Sequence, residues 1–599
     1  MQRLFRRFGD QALLVAIVLA LGLALIYPIL LTVRGGFAKD PATGEGWTLE
    51  HLRLLSTDPS FWGGLLNALK IACITTLLSI VIALPLALLA AGCRFPGKKL
   101  FAAGILVPLI LPPFVGAIGM RAILGRQGAL NAILGTEWDI LGGRAEVLGI
   151  DVRLIAIALV QALHLYPIIY LNAVAALANL DPALGESAEN LGAGPVRRFF
   201  RITLPLIRPG LFAGGTIVFI WSFTELGTPL MFDFYQVTPV QIVFGLKEVE
   251  NSARPYALTV VLLASSVVLY VLGKFVFGGR GYAMYSKASR AADERTLGPL
   301  GGTLAAGAFG VVTLLALVPH IGVVLVSLSG TGAWYRSVVP EWLTLEHFHV
   351  ALGERDSLGA IRNSTVLALG AVMVNLVLGL VIAYLIVRTR AKGRALLDAL
   401  CMLPLAVPGL VMAFGYVAVT LGWPFNRALE IGWGGTVWVS IPAFLDGTIF
   451  DLQVLGTNPN PFPLLVIAYA VRRLPYIVRS TVAGLEQTSG ELEEAAVNLG
   501  ASRVTAVRKV IVPLIMANLI AGSLLVFSFS MLEVSDSLIL AQKPEHYPIT
   551  KAIFAFSERL GDGMYVASAL GVWGMLLLAV TLVGSSVLLG KKLGAIFRV

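Results

Sequence analysis

Two glutamates stand where the surrounding sequence offers them no water. Glu225 ends the run Ile220-Trp221-Ser222-Phe223-Thr224, and Glu533 ends Ser528-Phe529-Ser530-Met531-Leu532, with Asp536 close behind. A carboxylate inside an apolar layer is costly unless it faces a wet cavity or a bonding partner. Two readings therefore stand for Glu225, Glu533 and Asp536. They line the pathway of a polar or cationic solute, or they close hydrogen bonds between helices. At about 1.5 Å of rise per residue, Glu225 lies roughly 24 Å beyond Pro209, in the outer part of a core about 30 Å thick.

Other residues that could do chemistry carry less. Gly92-Cys93-Arg94-Phe95-Pro96-Gly97-Lys98-Lys99 comes close to a phosphate-binding loop. Such a loop needs Ser or Thr after its lysine and a strand before its glycines. Lys99 and an apolar helix stand there instead, so the stretch is a basic turn. Leu328-Ser329-Gly330-Thr331-Gly332 reads as the end of a helix. His347 and His349 are spaced for a metal only on a strand, and they read as surface or packing residues, with His51 matching His347. Cys73, Cys93 and Cys401 show no metal spacing, and three free thiols are expected, two of them buried. With no metal cluster and no nucleophile–base motif in the sequence, the chain reads as a non-enzyme.

The strongest pattern is a repeated polar loop. Glu494-Ala495-Ala496-Val497-Asn498-Leu499-Gly500 runs on to Val510-Ile511-Val512-Pro513. Glu186-Ser187-Ala188-Glu189-Asn190-Leu191-Gly192 runs on to Ile202-Thr203-Leu204-Pro205. The offset is 308 residues throughout (494 − 186, 500 − 192, 513 − 205). Each copy reads as helix, turn, helix. Asp181 can cap a helix with Pro182 in its first position. In the second copy Thr488 or Ser489 caps, with Glu491 placed for a capping box from Thr488. Gly192 and Gly500 end the first helix. Pro195 and Ser502 begin the next, and Pro205 and Pro513 mark the entry to an apolar segment.

These loops resemble the cytoplasmic EAA loop of ATP-binding-cassette (ABC) importer permeases, with its pattern EAA-x3-G-x9-I-x-L-P. The first copy departs at Ser187, and the second has Val510 and Val512 in place of isoleucine and leucine. The resemblance implies a type I permease with its two domains fused in one chain, similar to ferric-iron uptake permeases. Two ABC ATPase subunits would dock under the loops, with Glu186 and Glu494 anchoring the coupling helices and Gly192 and Gly500 setting their bend. No cofactor belongs to this chain on that footing, since ATP is hydrolysed by the partner subunits. A periplasmic or lipid-anchored solute-binding protein would deliver the substrate. Ferric iron is the first expectation; thiamine, phosphonate, polyamine or another small solute stays open. The rival class is an ion-coupled secondary transporter, which needs no ATPase dock.

The elements that carry these loops follow from composition. At 599 residues, 57% hydrophobic and 13% charged, with mean hydropathy +0.83, this is a polytopic membrane protein rather than a soluble one. The net charge of +10 clusters beside apolar runs, as the positive-inside rule requires. Nucleic-acid binding is thereby excluded, and the lipid bilayer is the medium. Twelve spans are expected, near 11–33, 65–92, 100–123, 153–178, 209–232, 257–278, 301–329, 363–387, 396–420, 462–483, 514–541 and 565–589. Basic clusters such as Arg94, Lys98 and Lys99, or Arg388, Arg390, Lys392 and Arg394, follow each even-numbered span. That puts both termini and both loops in the cytoplasm, and the resemblance makes the membrane a bacterial inner one.

The repeat reaches well beyond the loops. Leu49-Glu50-His51 recurs as Leu345-Glu346-His347, Asn67 as Asn363, and Pro108 and Pro112 as Pro404 and Pro408, all offset by 296 residues (345 − 49). The expected fold is all-α, two parallel halves of six helices, each implied by the resemblance to hold a MetI-like permease core. Its expected divisions are 1–61, an N-terminal helix with an outer loop; 62–272, the first transmembrane domain; 273–357, a linker with helix seven and an outer loop; 358–585, the second transmembrane domain; and 586–599, a cytoplasmic tail.

Overall fold

The computed structural model describes residues 2–40, 45–110, 112–143, 146–147, 149–246, 252–277, 295–421, 430–433, 436–440, 454 and 460–589. Most of the expected linker near 279–299, of the outer loop at 421–461 and of the tail lies outside the described residues. The described residues are overwhelmingly helical, and their short strands form only two-stranded ladders. Eight helices among them are long and apolar enough to cross a membrane, or eleven when each of three bent pairs counts as one span. The expected tenth span is the helix Phe462–Glu486, 25 residues long. It matches the others in length and differs in carrying Arg472, Arg473 and Arg479.

Three pairs of helices meet at sharp bends. Arg394–Ala406 meets Gly409–Leu421 at 104°, and Arg503–Leu514 meets Met516–Met531 at 78°. Lys98–Leu109 and Pro113–Leu134 form the third bent pair. Proline accounts for two of these breaks. Pro112-Pro113 and Pro408 supply no N–H donor and push the residue before them out of helical geometry. The remaining break turns at Ile515, just beyond Pro513. The sequence pattern shows apolar length, and bends of this kind leave that length unchanged.

The repeat is visible as matched elements. Pro59–Gly92 and Arg355–Arg388 are both 34 residues long and start 296 apart (355 − 59). Pro59–Gly92 packs on Val152–Ala178 and on Leu204–Phe223; Arg355–Arg388 packs on Phe462–Glu486 and on Met516–Met531. Asp58 caps the first of these helices through Ser60 N at 2.8 Å. Hydrogen bonds from the Ser60 hydroxyl and amide, with Arg254 nearby, hold the Asp58 carboxyl below the usual carboxylate range.

The first long helix of each half also packs on the other half. Tyr27–Phe37, continuing the N-terminal helix, packs on Gly409–Leu421 as well as on Arg254–Phe277. Tyr416 Oη donates to Ala24 O at 3.1 Å. Pro299–Leu328 in turn packs on Pro113–Leu124. Two glycines make these crossings close, since a β-carbon at Gly119 would meet the backbone of Pro319–Val323 and one at Gly415 would meet Pro28. The two glycines are themselves 296 apart (415 − 119). His51 and His347 finish the exchange: their Nε2 atoms bond Ala38 O and Ser329 O, both at 2.9 Å. Of the three free thiols, Cys401 is buried, Cys93 half-buried and Cys73 exposed. The expected burial of Cys73 is corrected, because its side of the Pro59–Gly92 helix faces away from neighbouring helices.

Candidate functional site

The two acids sit at helix ends rather than within helices. The expected span over 209–232 stops at Phe223 and resumes as the short helix Gly227–Met231. Glu225 causes the interruption. Its Oε1 accepts from Gly227 N at 3.1 Å and Thr228 N at 3.2 Å, amides that a continuous helix would bond back along the chain. The second half repeats the device: Met516–Met531 stops and Ser535–Leu540 follows. There Glu533 Oε1 accepts from Asp536 N at 3.4 Å. The freed carbonyl of Glu533 takes hydrogen bonds from Ser537 Oγ and Thr550 Oγ1, each at 2.6 Å.

Both acids line one interior cavity of about 160 Å³ between the halves. The broken helices reach it with Pro112, Pro113, Pro408 and Gly409, and Gln161 and His164 line it from Val152–Ala178. Sequence reasoning missed the residues that dominate its charge. Arg472 Nη1 lies 2.6 Å from Glu533 Oε1 and 3.4 Å from Asp536 Oδ2. Arg473 also pairs with Glu533, donates to Phe529 O at 3.0 Å and lies 5.6 Å over the Phe529 ring. Glu533 is 2% exposed and Asp536 1%. Asp536 stands behind Arg472 and is not part of the cavity wall. Glu533 therefore meets two guanidinium groups of its own half, whereas the bonds of Glu225 go to backbone amides and the Thr228 hydroxyl. A side chain at position 409 would run into the Arg472 guanidinium, so that approach needs glycine.

The repeat makes the asymmetry explicit. Subtracting 308 from 472 gives 164, and His164 stands there. Its Nδ1–H donates to Pro108 O at 2.7 Å, which fixes the ring at the cavity wall. Gln161 Oε1 accepts from the Ser222 hydroxyl, while the equivalent Tyr469 bonds Ser537 at 2.6 Å. One half of the wall is ionic and the other is neutral apart from Glu225. Adjacent arginines inside an apolar stretch were a readable signal, since intramembrane charges come paired. Their pairing with position 533 is tertiary and had none.

The twin loops carry the same elements in the same order. Asp181 caps Pro182–Asn190 by accepting from Ala183 N at 3.0 Å. Gly192 at φ +77° and Gly500 at φ +91° turn the chain in a region that disfavours other residues. Pro195–Arg198 and Arg503–Ala506 follow, and Ser502 caps the latter through Thr505 N at 3.2 Å. Each then passes through a five-residue π-helical stretch, Phe199–Thr203 and Val507–Ile511, again 308 apart (507 − 199). Such stretches are rare and concentrate at functional sites. Leu204-Pro205 and Val512-Pro513 open the next helices.

The capping box expected from Thr488 does not form. The helix begins at Glu491 with Gly490 before it. Thr488 Oγ1 is held by Arg388 Nη2 at 2.9 Å instead, and Ser489 Oγ accepts from Glu491 N at 3.2 Å. Glu186, Ser187, Glu494 and Ala495 are exposed, while Ala188 and Ala496 are half-buried. Beside them the same apolar positions are bare in both copies: Leu191 and Leu499 are 87% and 90% exposed, Val196 and Val504 69% and 77%. Matched exposed apolar patches of this kind mark interaction surfaces.

Comparison with known proteins adds to this geometry. The family described as binding-protein-dependent transport system inner membrane component matches residues 83–279 and again 375–587. A protein of Haemophilus influenzae strain Rd, named for a ferric transport system as its permease FbpB 1, is 26% identical over 89% of this chain and 78% of its own length. The ferric transport system permease protein FbpB of Actinobacillus pleuropneumoniae is 27% identical over 83% of this chain and 66% of its own. The molybdenum transport system permease protein ModB of Escherichia coli K12 is 33% identical over 30% of this chain and 74% of its own.

Proposed function

This chain belongs to the binding-protein-dependent transport system inner membrane component family, whose domain it carries twice, and from that premise we propose how it works. It is the membrane-spanning subunit of an ATP-driven importer, a transport permease rather than an enzyme. The cavity between its halves is a section of the translocation pathway. Two separate ATPase subunits dock beneath the loops at 182–206 and 490–514, and a solute-binding protein delivers substrate from outside. Closure of the ATPases rocks the halves about their pseudo-two-fold axis, opening the pathway to one side and then the other. The basic clusters after alternate spans support an orientation with both loops and both termini in the cytoplasm.

The observation that carries this reading is the pair of loops. Each exposes the same leucine and valine positions beside the same acidic helix, 308 residues apart (499 − 191). Glu186 and Glu494 anchor the docked surfaces, and Gly192 and Gly500 set the angle between the short helices. Its test is the double variant Glu494→Lys with Gly500→Pro. The protein should insert at normal abundance, retain its ATPase subunits poorly and lose uptake. Normal uptake by that variant would remove the coupling role. For substrate, the names of the two long relatives support ferric iron. The ligand that co-purifies with the cognate binding protein decides it, and a protein carrying an oxyanion or an organic solute would overturn iron.

A further inference from the structure

The two loops match in form, yet they are attached to the membrane helices differently. On the second loop, the Tyr384 hydroxyl donates to Glu493, which is 9% exposed. Arg503 Nη1 reaches Asp10 Oδ1 of the N-terminal helix at 2.8 Å, with its guanidinium 5.9 Å over the Tyr384 ring. Where the loop begins, Arg388 Nη2 donates to Leu485 O at 3.0 Å and Thr488 O at 2.7 Å. Gln11 pins the N-terminal helix alongside, exchanging two hydrogen bonds with the Lys392 backbone, both at 3.0 Å.

The repeat offsets name the corresponding residues of the first loop. They are Gly185 (493 − 308), Pro195 (503 − 308), Leu88 (384 − 296) and Gly92 (388 − 296). None has a side-chain donor, acceptor or charge. The first loop therefore cannot build this arrangement from those positions, and the ion pair Arg198–Glu189 lies within the loop itself. A lone exposed ion pair does little. Here, however, Glu493 and Arg503 lie on the two successive short helices of one loop and meet through a single tyrosine, so the loop is held at both ends.

We propose that Tyr384–Glu493 and Asp10–Arg503 latch the second coupling loop to the membrane helices, making it the stiffer of two unequal transmitters, with Asp10 and Tyr384 as positioning residues. The inference rests on the coupling role of the loops and adds an order between them. A push on a latched loop moves the Arg355–Arg388 helix and the N-terminal helix together. A push on the first loop is partly absorbed by bending of the loop.

The test uses the full chain with its ATPase subunits in lipid nanodiscs. Amide hydrogen exchange is compared over 182–198 and 491–506, and ATP-driven motion is read between spin labels at Ile133 and Leu560, both exposed. Exchange in the second loop should be about tenfold slower than in the first. Tyr384→Phe combined with Asp10→Asn should bring the two within about twofold. ATP hydrolysis should persist in that variant while the ATP-driven change in label distance falls by about half. The exchanged pair Asp10→Arg with Arg503→Asp should restore slow exchange relative to Arg503→Asp alone. Equal exchange of the two loops in the parent protein, or an unlatched loop with undiminished ATP-driven motion, overturns the proposal. Failure of the coupling role would show separately, as cysteines at Leu191 and Leu499 that form no cross-link to an ATPase subunit.

Discussion

Glu225 and Glu533 occupy equivalent positions and stop equivalent helices, but removing their charge should have different results. Glu533→Gln leaves Arg472 with its longer contact to Asp536 and takes from Arg473 the carboxylate it pairs with. Breaking a buried pair of this kind costs about 3 kcal/mol, so the purified protein should melt earlier and accumulate less in the membrane. Glu225→Gln keeps a carbonyl oxygen for the Gly227 and Thr228 amides and should stay within about 0.5 kcal/mol of the parent. Any deficit it shows should appear in uptake rather than in abundance, and a melting curve displaced as far as that of Glu533→Gln would contradict this. The acids were legible in the sequence because charge is scarce where they stand. Which arginine meets which acid was not legible, since 61 residues separate Arg472 from Glu533 in the chain (533 − 472) and only folding brings them together.

Among elements, the twin loops were the most legible, because caps and positive-φ glycines act locally. Asp181 and Gly192 do in the structure what their types suggest. Asp181→Ala should cost the first short helix about 1 kcal/mol, and Gly192→Ala or Gly500→Ala about 1–2 kcal/mol of local strain. Each should weaken retention of ATPase subunits in a pull-down from membranes without lowering the abundance of the permease. Retention unchanged in all three would separate the loops' local geometry from docking. The failed expectation at Thr488 shows the limit of local reasoning. Its hydroxyl had a good partner three residues ahead, and Arg388, 100 residues earlier, captured it. The helix breaks at Pro112-Pro113 and Pro408 were visible as residues yet passed unread, because apolar runs on either side still summed to a full span.

For the whole molecule, duplication gave the plan: matched offsets of 296 and 308 residues set out two halves, and most spans fall where hydropathy puts them. The orientation is open to direct measurement. In a chain whose native cysteines are replaced by serine, a cysteine at Pro195 or Arg503 should resist membrane-impermeant thiol reagents in intact cells. One at Gly135 or Leu560 should be labelled. The reverse pattern would overturn the proposed orientation. The exchange of first helices between halves was invisible to the sequence, because an apolar stripe does not specify which half it will lie against. Small residues at the crossings, Gly119 and Gly415, carry that information only once their neighbours are known.

That exchange has a consequence for how the chain is made. The N-terminal helix leaves the ribosome first, yet part of its packing surface is supplied by Arg394–Ala406 and Gly409–Leu421, which begin 357 residues after Phe37 (394 − 37). At ordinary rates of synthesis it waits roughly 20–70 s for them, with Gly35 and Gly36 already able to meet Tyr256 and Val260 but the face at Pro28 that meets Gly415 still uncovered. A nascent chain halted after residue 277 would carry Arg254–Phe277 to cover one side of its first helix and still lack the second-half surface for the other. Supplying residues 295–599 as a second polypeptide should rescue that truncated product from degradation, and residues 295–393 alone should not.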